Sequence, residues 1–213
     1  NYIVDLNLDL KGIDLYELGF VGESTRAKFQ LLANFKGNPY NFDLVTNLKE
    51  AIVVYDERIY PVGPLNLNAR IREDSTNVSI ESLLLNGYLR SNTSLDSLYQ
   101  AVSSHFGQHL DKLDSLGIPK GNITMELDLA INQAPILNQV LLKGLNQLDS
   151  ARIKMDFSQP EDKLIASVDF PFIQYGSIEV DSLHLRACGN GSDFLHRHSP
   201  AIPPLLRFQF LCR

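Results

Sequence analysis

The chain has 213 residues, 44% hydrophobic and 21% charged, with a formal net charge of -6. That balance describes a soluble globular chain and excludes a disordered one, and the lack of a dense basic cluster argues against a nucleic-acid-binding face. No run approaches 18 apolar residues, so the sequence holds no helical membrane span, and the length fits one large domain or two small ones.

The opening stretch NYIVDLNLDLKGIDL alternates Val4, Leu6, Leu8 and Leu10 with Asp5, Asn7, Asp9 and Lys11. Such alternation predicts a strand with one dry and one wet face. The pattern is already running at the first residue, with no signal peptide ahead of it. The expectation is of an internal fragment whose first strand continues a longer sheet, so a missing leader says little about where the parent protein resides. TRAKFQLLANFKG repeats the pattern, with Ala27, Phe29, Leu31, Ala33 and Phe35 on one side. Gly37 to Pro39 marks a turn, and NFDLVTNL returns with Phe42, Leu44 and Leu48 together. AIVVYDERIYPVG carries Asp56-Glu57-Arg58 near a hairpin tip or bend. PLNLNARI alternates Leu65, Leu67, Ala69 and Ile71, REDSTN is a polar turn, and VSIESLLLNGYL is a further strand.

The period then changes. Leu95, Leu98, Tyr99, Val102, Phe106, Leu110, Leu113 and Leu116 recur at three-and-four spacing, which predicts an amphipathic helix over 94–116. Thr93 or Ser94 caps its start, and Gly117 and Pro119 end it. NITMELDLAI resumes period two with Ile123, Met125, Leu127, Leu129 and Ile131. APILNQVLLKGL predicts a second, short helix near 135–146, with Pro135 at its first position. ARIKMDFS, KLIASVDFPFI and GSIEVDSLHL complete about ten strands and two helices. Sequential alternating strands with short links make an antiparallel meander. Periodicity leaves two ways to bury its dry face, a closed sandwich or a long curled sheet with an open trough.

Chemical motifs are sparse. His105 and His109 stand at i and i+4 on the helix, a spacing that suits metal, yet no Glu lies between them, and a solvated or boundary face explains them more simply. The pairs Asp56-Glu57 and Glu161-Asp162 read as solvated turn charges. No Gly-rich phosphate loop, GxSxG or CxxC occurs, so no catalytic residue and no cofactor is predicted, and the protein reads as a non-enzyme. Sequons at Asn77, Asn92, Asn122 and Asn190 are near chance for a chain rich in Asn and Ser.

The order of features resembles the C-terminal region of the TamB family in its Bacteroidetes form. LDLKGIDLYELGF is similar to that family's strand and following segment. ERIYPVGPLNLNARIREDSTNVSIES is similar to its Tyr-Pro link, alternating strand, charged hairpin and return strand. The helix, strand and short helix before LDSARIKMDFSQPEDKLIASV follow the same order. The likeness covers roughly residues 1–186. TamB-like proteins are AsmA-like, bridge-forming lipid transfer proteins, anchored in the inner membrane and crossing the periplasm. They are long, taco-shaped β-sheets with an apolar interior, associated with outer-membrane protein assembly, an Omp85-type partner and phospholipid movement between membranes. The resemblance thus implies a mainly β chain, a long curled antiparallel sheet with a β-taco-like open groove plus one long and one short amphipathic helix. Its role would be non-catalytic, in the periplasm, with phospholipid acyl chains as ligand. The implied groove residues are Val4, Leu6, Leu8, Leu10, Ala27, Phe29, Leu31, Phe35, Leu65, Leu67, Ile71, Ile123, Met125, Leu127, Leu129 and Ile131. Read without the resemblance they are ordinary core residues; in a taco, core and groove are the same surface. The helix 94–116 is expected to plug or cap that trough. The competing reading is a β-sandwich-like carbohydrate- or protein-binding module, against which the absence of Trp counts modestly.

The tail, RACGNGSDFLHRHSPAIPPLLRFQFLCR, breaks the alternation after Leu185. It holds both cysteines of the chain, Cys188 and Cys212, with His196 and His198, but their spacing matches no common structural zinc pattern. A basic, Pro-containing targeting tail is a second option. The preferred expectation is that family sequence stops near 186 and that 187–213 comes from a frameshift or misassembled gene end, neither packing on the sheet nor binding metal.

Overall fold

The computed structural model describes residues 2–19, 23–110, 121–142 and 144–190. Twelve strands are present among them: β1 (Tyr2–Asp14), β2 (Thr25–Gly37), β3 (Phe42–Tyr55), β4 (Arg58–Pro61), β5 (Leu65–Ile71), β6 (Thr76–Ser82), β7 (Leu85–Ser91), β8 (Thr124–Ile131), β9 (Leu145–Leu148), β10 (Ala151–Ser158), β11 (Lys163–Tyr175) and β12 (Ile178–Asn190). Helix α1 (Leu95–Leu110) lies between β7 and β8, and a π-helical turn, Leu137–Leu141, lies between β8 and β9. All twelve strands form one antiparallel sheet in the order β1-β2-β3-β5-β6-β7-β8-β10-β11-β12, with β4 added beside β3 and β9 beside β11. The sheet does not close, because β1 and β12 stand at opposite ends of this order. The sandwich alternative required two packed sheets, and the described strands make one.

Local chemistry sets the turns. Between β3 and β4, Asp56 and Glu57 both have positive φ (48° and 60°), and Tyr55 pairs with Arg58. That is the two-residue hairpin geometry whose backbone twist matches the flanking strands. Between β2 and β3, the Asn38 side-chain oxygen accepts the backbone N–H groups of Tyr40 and Asn41, each at 2.9 Å. Gly37 is required there, since a β-carbon would fall 2.1 Å from the Asn41 carbonyl oxygen.

Two bulges flank β2 at one level. Lys11 and Gly12 of β1 together face Lys28, and Glu50 and Ala51 of β3 together face Phe29. Glu50 takes up the extra residue with φ at 49°. Each insertion switches the parity of the apolar positions, from Leu8 and Leu10 to Ile13 on β1, and from Leu44 and Leu48 to Ala51 and Val53 on β3. The apolar side chains therefore stay on one face while the strands bend and twist. Without the switch a one-residue slip would send them to the wet side.

The tightly packed parts lie at the two rims of the sheet, where the strands end. On one rim Ala134 and Ile136, just past β8, join Ala27, Val53 and Tyr60 in a buried cluster, with Leu84 and Val140 against it. From there the chain passes through the π turn to β9, which pairs with β11 at 173–175. The described residues of 134–142 and 144–148 thus lie along that rim from the β2–β4 side to β11. On the other rim α1 sets Leu98 and Ala101 on Met125, Phe157 and Leu164. Ser94 caps the helix, its Oγ accepting the Ser97 N–H at 3.3 Å, and Asp96 in the first turn suits the dipole.

Some boundaries differ from the sequence reading. The second helix ends at Leu141 rather than near 146, because Leu145–Leu148 are drawn into pairing with β11. Strands β4 and β9, four residues each, were too short to show a period. β12 runs to Asn190, past the point where alternation fails, because a backbone ladder with β11 does not need alternating side chains. The end of the predicted helix at 111–116, and the tail from 191 onward with Cys212, His196 and His198, lie outside the described residues.

Candidate functional site: a continuous apolar sheet face

Directly paired residues of neighbouring antiparallel strands share a face. One unbroken row crosses ten strands: Val4, Phe35, Leu44, Ala69, Val78, Leu89, Leu127, Met155, Ala166 and Ala187. Every member is apolar. A parallel row two residues along reads Leu6, Ala33, Thr46, Leu67, Ile80, Gly87, Leu129, Ile153, Val168 and Leu185, and Thr46 is its only polar side chain. Nine strand-to-strand steps make these rows roughly 43 Å long.

None of the twenty residues in the two rows is buried, and all but the exposed Val4 and Leu6 are partly exposed. Burial appears only toward the rims, at Ala27 and Val53 beneath residues 134–136 and at Met125, Phe157 and Leu164 beneath α1. Leu89 and Met155 of the first row touch the edge of the cluster beneath α1; away from it the face is an open apolar strip walled at its rims. In a closed sandwich the same inward positions would be the driest in the molecule.

The predicted groove residues fall as follows. Val4, Leu6, Leu8 and Leu10 pair with Phe35, Ala33, Leu31 and Phe29, so both strands present them on the apolar face. Ala27 lies on that face but is buried in the rim cluster. Leu65 and Leu67 continue it on β5, and Ile71, 3% exposed, is buried. Leu127, Leu129 and Ile131 lie on the strip, whereas Met125 and Ile123, the latter ahead of β8, pack in the cluster under α1. Sequence reasoning missed the contributions of β6, β7, β10, β11 and β12. The signal was present in their alternation: Val78 and Ile80, Ile153 and Met155, Ala166 and Val168.

The opposite face is wet and laced by polar pairs across neighbouring strands. Asp43 of β3 pairs with Arg70 of β5 at 3.0 Å and with Arg72 at 2.8 Å. Arg72, then Arg70, hold the Asp43 carboxyl below its usual range. Asp128 of β8 accepts two bonds from Arg152 of β10, at 2.9 and 2.7 Å, and that contact lowers its pKa in the same way while raising that of Arg152. Tyr88 donates to Glu126, which pushes the phenol up, and Arg90 lies 4.4 Å over the Tyr88 ring. His184 and Asp169 meet at 2.6 Å. These shifts come from pairs that join one strand to the next. A cleft of about 490 Å³ is lined mostly by residues of this wet face, among them Asp43, Asn68, Asn77, Tyr88 and Arg90.

His105 differs from its sequence reading. It is 6% exposed, buried rather than solvated. Its ring meets Phe157 edge-on at 5.5 Å, and Nδ1 lies 3.4 Å from Asp162 Oδ1. The reason is periodicity: 98, 101 and 105 fall on one helical stripe, so His105 follows Leu98 and Ala101 onto the sheet. Asp56 and Glu57 do occupy a turn, as predicted, and Asp162 lies in the β10–β11 turn. Among the described residues no helix is long and apolar enough to cross a membrane.

Comparison with protein-family models, curated proteins and solved structures returned no match.

Proposed function

We propose that this chain is a non-catalytic scaffold of the TamB type, acting in the Gram-negative periplasm as part of a parent protein anchored in the inner membrane. Its apolar strip shields phospholipid acyl chains on their way between the membranes, in support of outer-membrane biogenesis with an Omp85-type partner. One observation carries the reading: two apolar rows cross ten strands, and none of their residues is buried. Each CH₂ moved from water onto such a surface gains about 0.8 kcal/mol. A tail lying along the rows is therefore stabilised at every position, with no need for a specific pocket. The wet face, tied by ion pairs, keeps the sheet from stacking on itself through that side. The order of sequence features shared with the TamB family supports the same reading.

Native mass spectrometry of the purified chain tests it. The expected result is a population carrying phospholipid mass that is removed by detergent exchange. A chain that stays lipid-free after incubation with phospholipid vesicles counts against the proposal.

A further inference from the structure

The wet face of β3, β5, β6 and β7 carries amides as well as ion pairs. Directly opposed residues of these four strands make the row Val45, Asn68, Ser79, Tyr88. Three strand-to-strand steps put its ends roughly 14 Å apart. In the row on one side Asn77 stands between Arg70 and Arg90, and in the row on the other side Asn47 opposes Asn66. Among the described residues, the side chains of Asn47, Asn66, Asn68, Asn77 and Ser79 bond to no protein partner. The charges beside them are engaged: Asp43 with Arg70 and Arg72, Arg90 over the Tyr88 ring at 4.4 Å, and Glu126 with the Tyr88 hydroxyl. Asn68, Asn77, Ser79 and Tyr88 line the cleft of about 490 Å³. A single exposed Asn is ordinary hydrated surface; here free amides, a hydroxyl and an aromatic ring converge on one cleft.

We propose that this cleft binds a neutral glycan chain. A sugar ring carries hydroxyls around its edge, each both donor and acceptor, and C–H groups on its faces. A side-chain amide offers two donors and a carbonyl acceptor, so free amides from three strands meet hydroxyls of either orientation. Val45 and Tyr88, at the ends of the central row, supply the apolar contact. Charge argues against an ion as ligand: an anion meets the Asp43 carboxylate, and a cation meets Arg70 and Arg90. A protein partner fits less well, because the centre of a protein interface is apolar and aromatic, whereas the centre of this row is Asn68 and Ser79. The cleft lies on the face opposite the apolar strip, so glycan binding does not depend on acyl chains occupying that strip.

Amide NMR titration of the full chain with three linear pentasaccharides tests the proposal: β-linked glucose, α-linked glucose and β-linked N-acetylglucosamine. At least one should give saturable shifts, confined to β3, β5, β6 and β7. Asn68→Ala combined with Asn77→Ala should weaken that binding about tenfold or more, with circular dichroism and melting unchanged, because both side chains are exposed. Tyr88→Phe, which keeps the ring, should still bind, and Tyr88→Ala should not. No saturable shift with any of the three sugars, or equal binding by wild type and the double Asn variant, overturns the proposal. So does a sugar-independent dimer that the double variant abolishes, since the face would then be a self-association surface. Lipid mass in native spectra is read without sugar, so failure of either reading leaves the other standing.

Discussion

Leu127 of β8 faces Met155 of β10 directly across the sheet, and both remain partly exposed. Two residues along, Phe157 faces Leu164 in the same way on β10 and β11, and these are 3% and 1% exposed beneath α1. The two pairs are chemically alike, but both members of the second lie in the cluster beneath α1, whereas of the first pair only Met155 touches its edge and Leu127 stands outside it. Truncation should register that difference. Leu164→Ala should cost about 3 kcal/mol, in the range of buried large-to-small changes. Leu127→Ala, which loses only part of a transfer term, should cost about 1 kcal/mol. Urea unfolding of both variants measures the gap, and equal large losses would mean that the strip is a closed core.

A charge on the strip should affect binding before it affects folding. Leu127→Asp keeps its carboxylate within reach of water, so the expected destabilisation is within about 2 kcal/mol, below the cost of burying an unpaired charge. Acyl-chain uptake should drop sharply, since the charge interrupts the first row near mid-sheet and stands beside the second. Parallel melting and fatty-acid displacement measurements separate the two effects.

Gly87 is the position where two strands come too close for any side chain. A β-carbon there would fall 2.1 Å from the Asp128 carbonyl oxygen and 2.9 Å from the Leu129 α-carbon. Gly87→Ala should therefore force β7 and β8 apart and cost about 2 kcal/mol or more. Gly12, in the β1 bulge, has nothing within 4 Å of its would-be β-carbon, and Gly12→Ala should lie within about 0.5 kcal/mol of wild type. Thermal melting of the two variants checks the contrast.

The wet face predicts a stability profile that falls on both sides of neutral pH. Arg152 depresses the Asp128 carboxyl below 3.8 in the folded chain. A depressed folded value means that the contribution is present above the unfolded value, and is lost as pH falls through the folded one. Tyr88 behaves in the opposite sense, because Glu126 raises its phenol above 10.0. Its contribution is present below that value and lost as pH rises through the folded one. Asp128→Asn should flatten the acid limb, and Tyr88→Phe the alkaline limb, in melting temperatures recorded across pH.

The strands were legible in the sequence because a sheet with one dry face writes itself as period two, and Val4 to Leu10 or Met125 to Ile131 could hardly be read otherwise. Strands β4 and β9 were not legible, since four residues paired onto the overhanging ends of β3 and β11 carry no period of their own. The bulges left a trace in the parity switch from Leu48 to Ala51, which acquires its meaning only once β2 is known to be the neighbour. His105 could have been placed from its spacing to Leu98 and Ala101. What periodicity does not encode is cover. Leu127 and Phe157 look alike in sequence, and only the position of α1 makes one dry and leaves the other open.

The most direct test of the central claim is photo-crosslinking of the full chain with a phospholipid carrying a diazirine at the end of one acyl chain, followed by peptide mapping. If the apolar rows carry the tail, label should fall on residues that share the strip yet lie far apart in sequence, such as Phe35, Leu89, Leu127 and Met155, and should vanish in Leu127→Asp near mid-sheet. Label spread over Lys28, Asn68, Arg90 and Lys154 of the wet face, or no specific label at all, would contradict it.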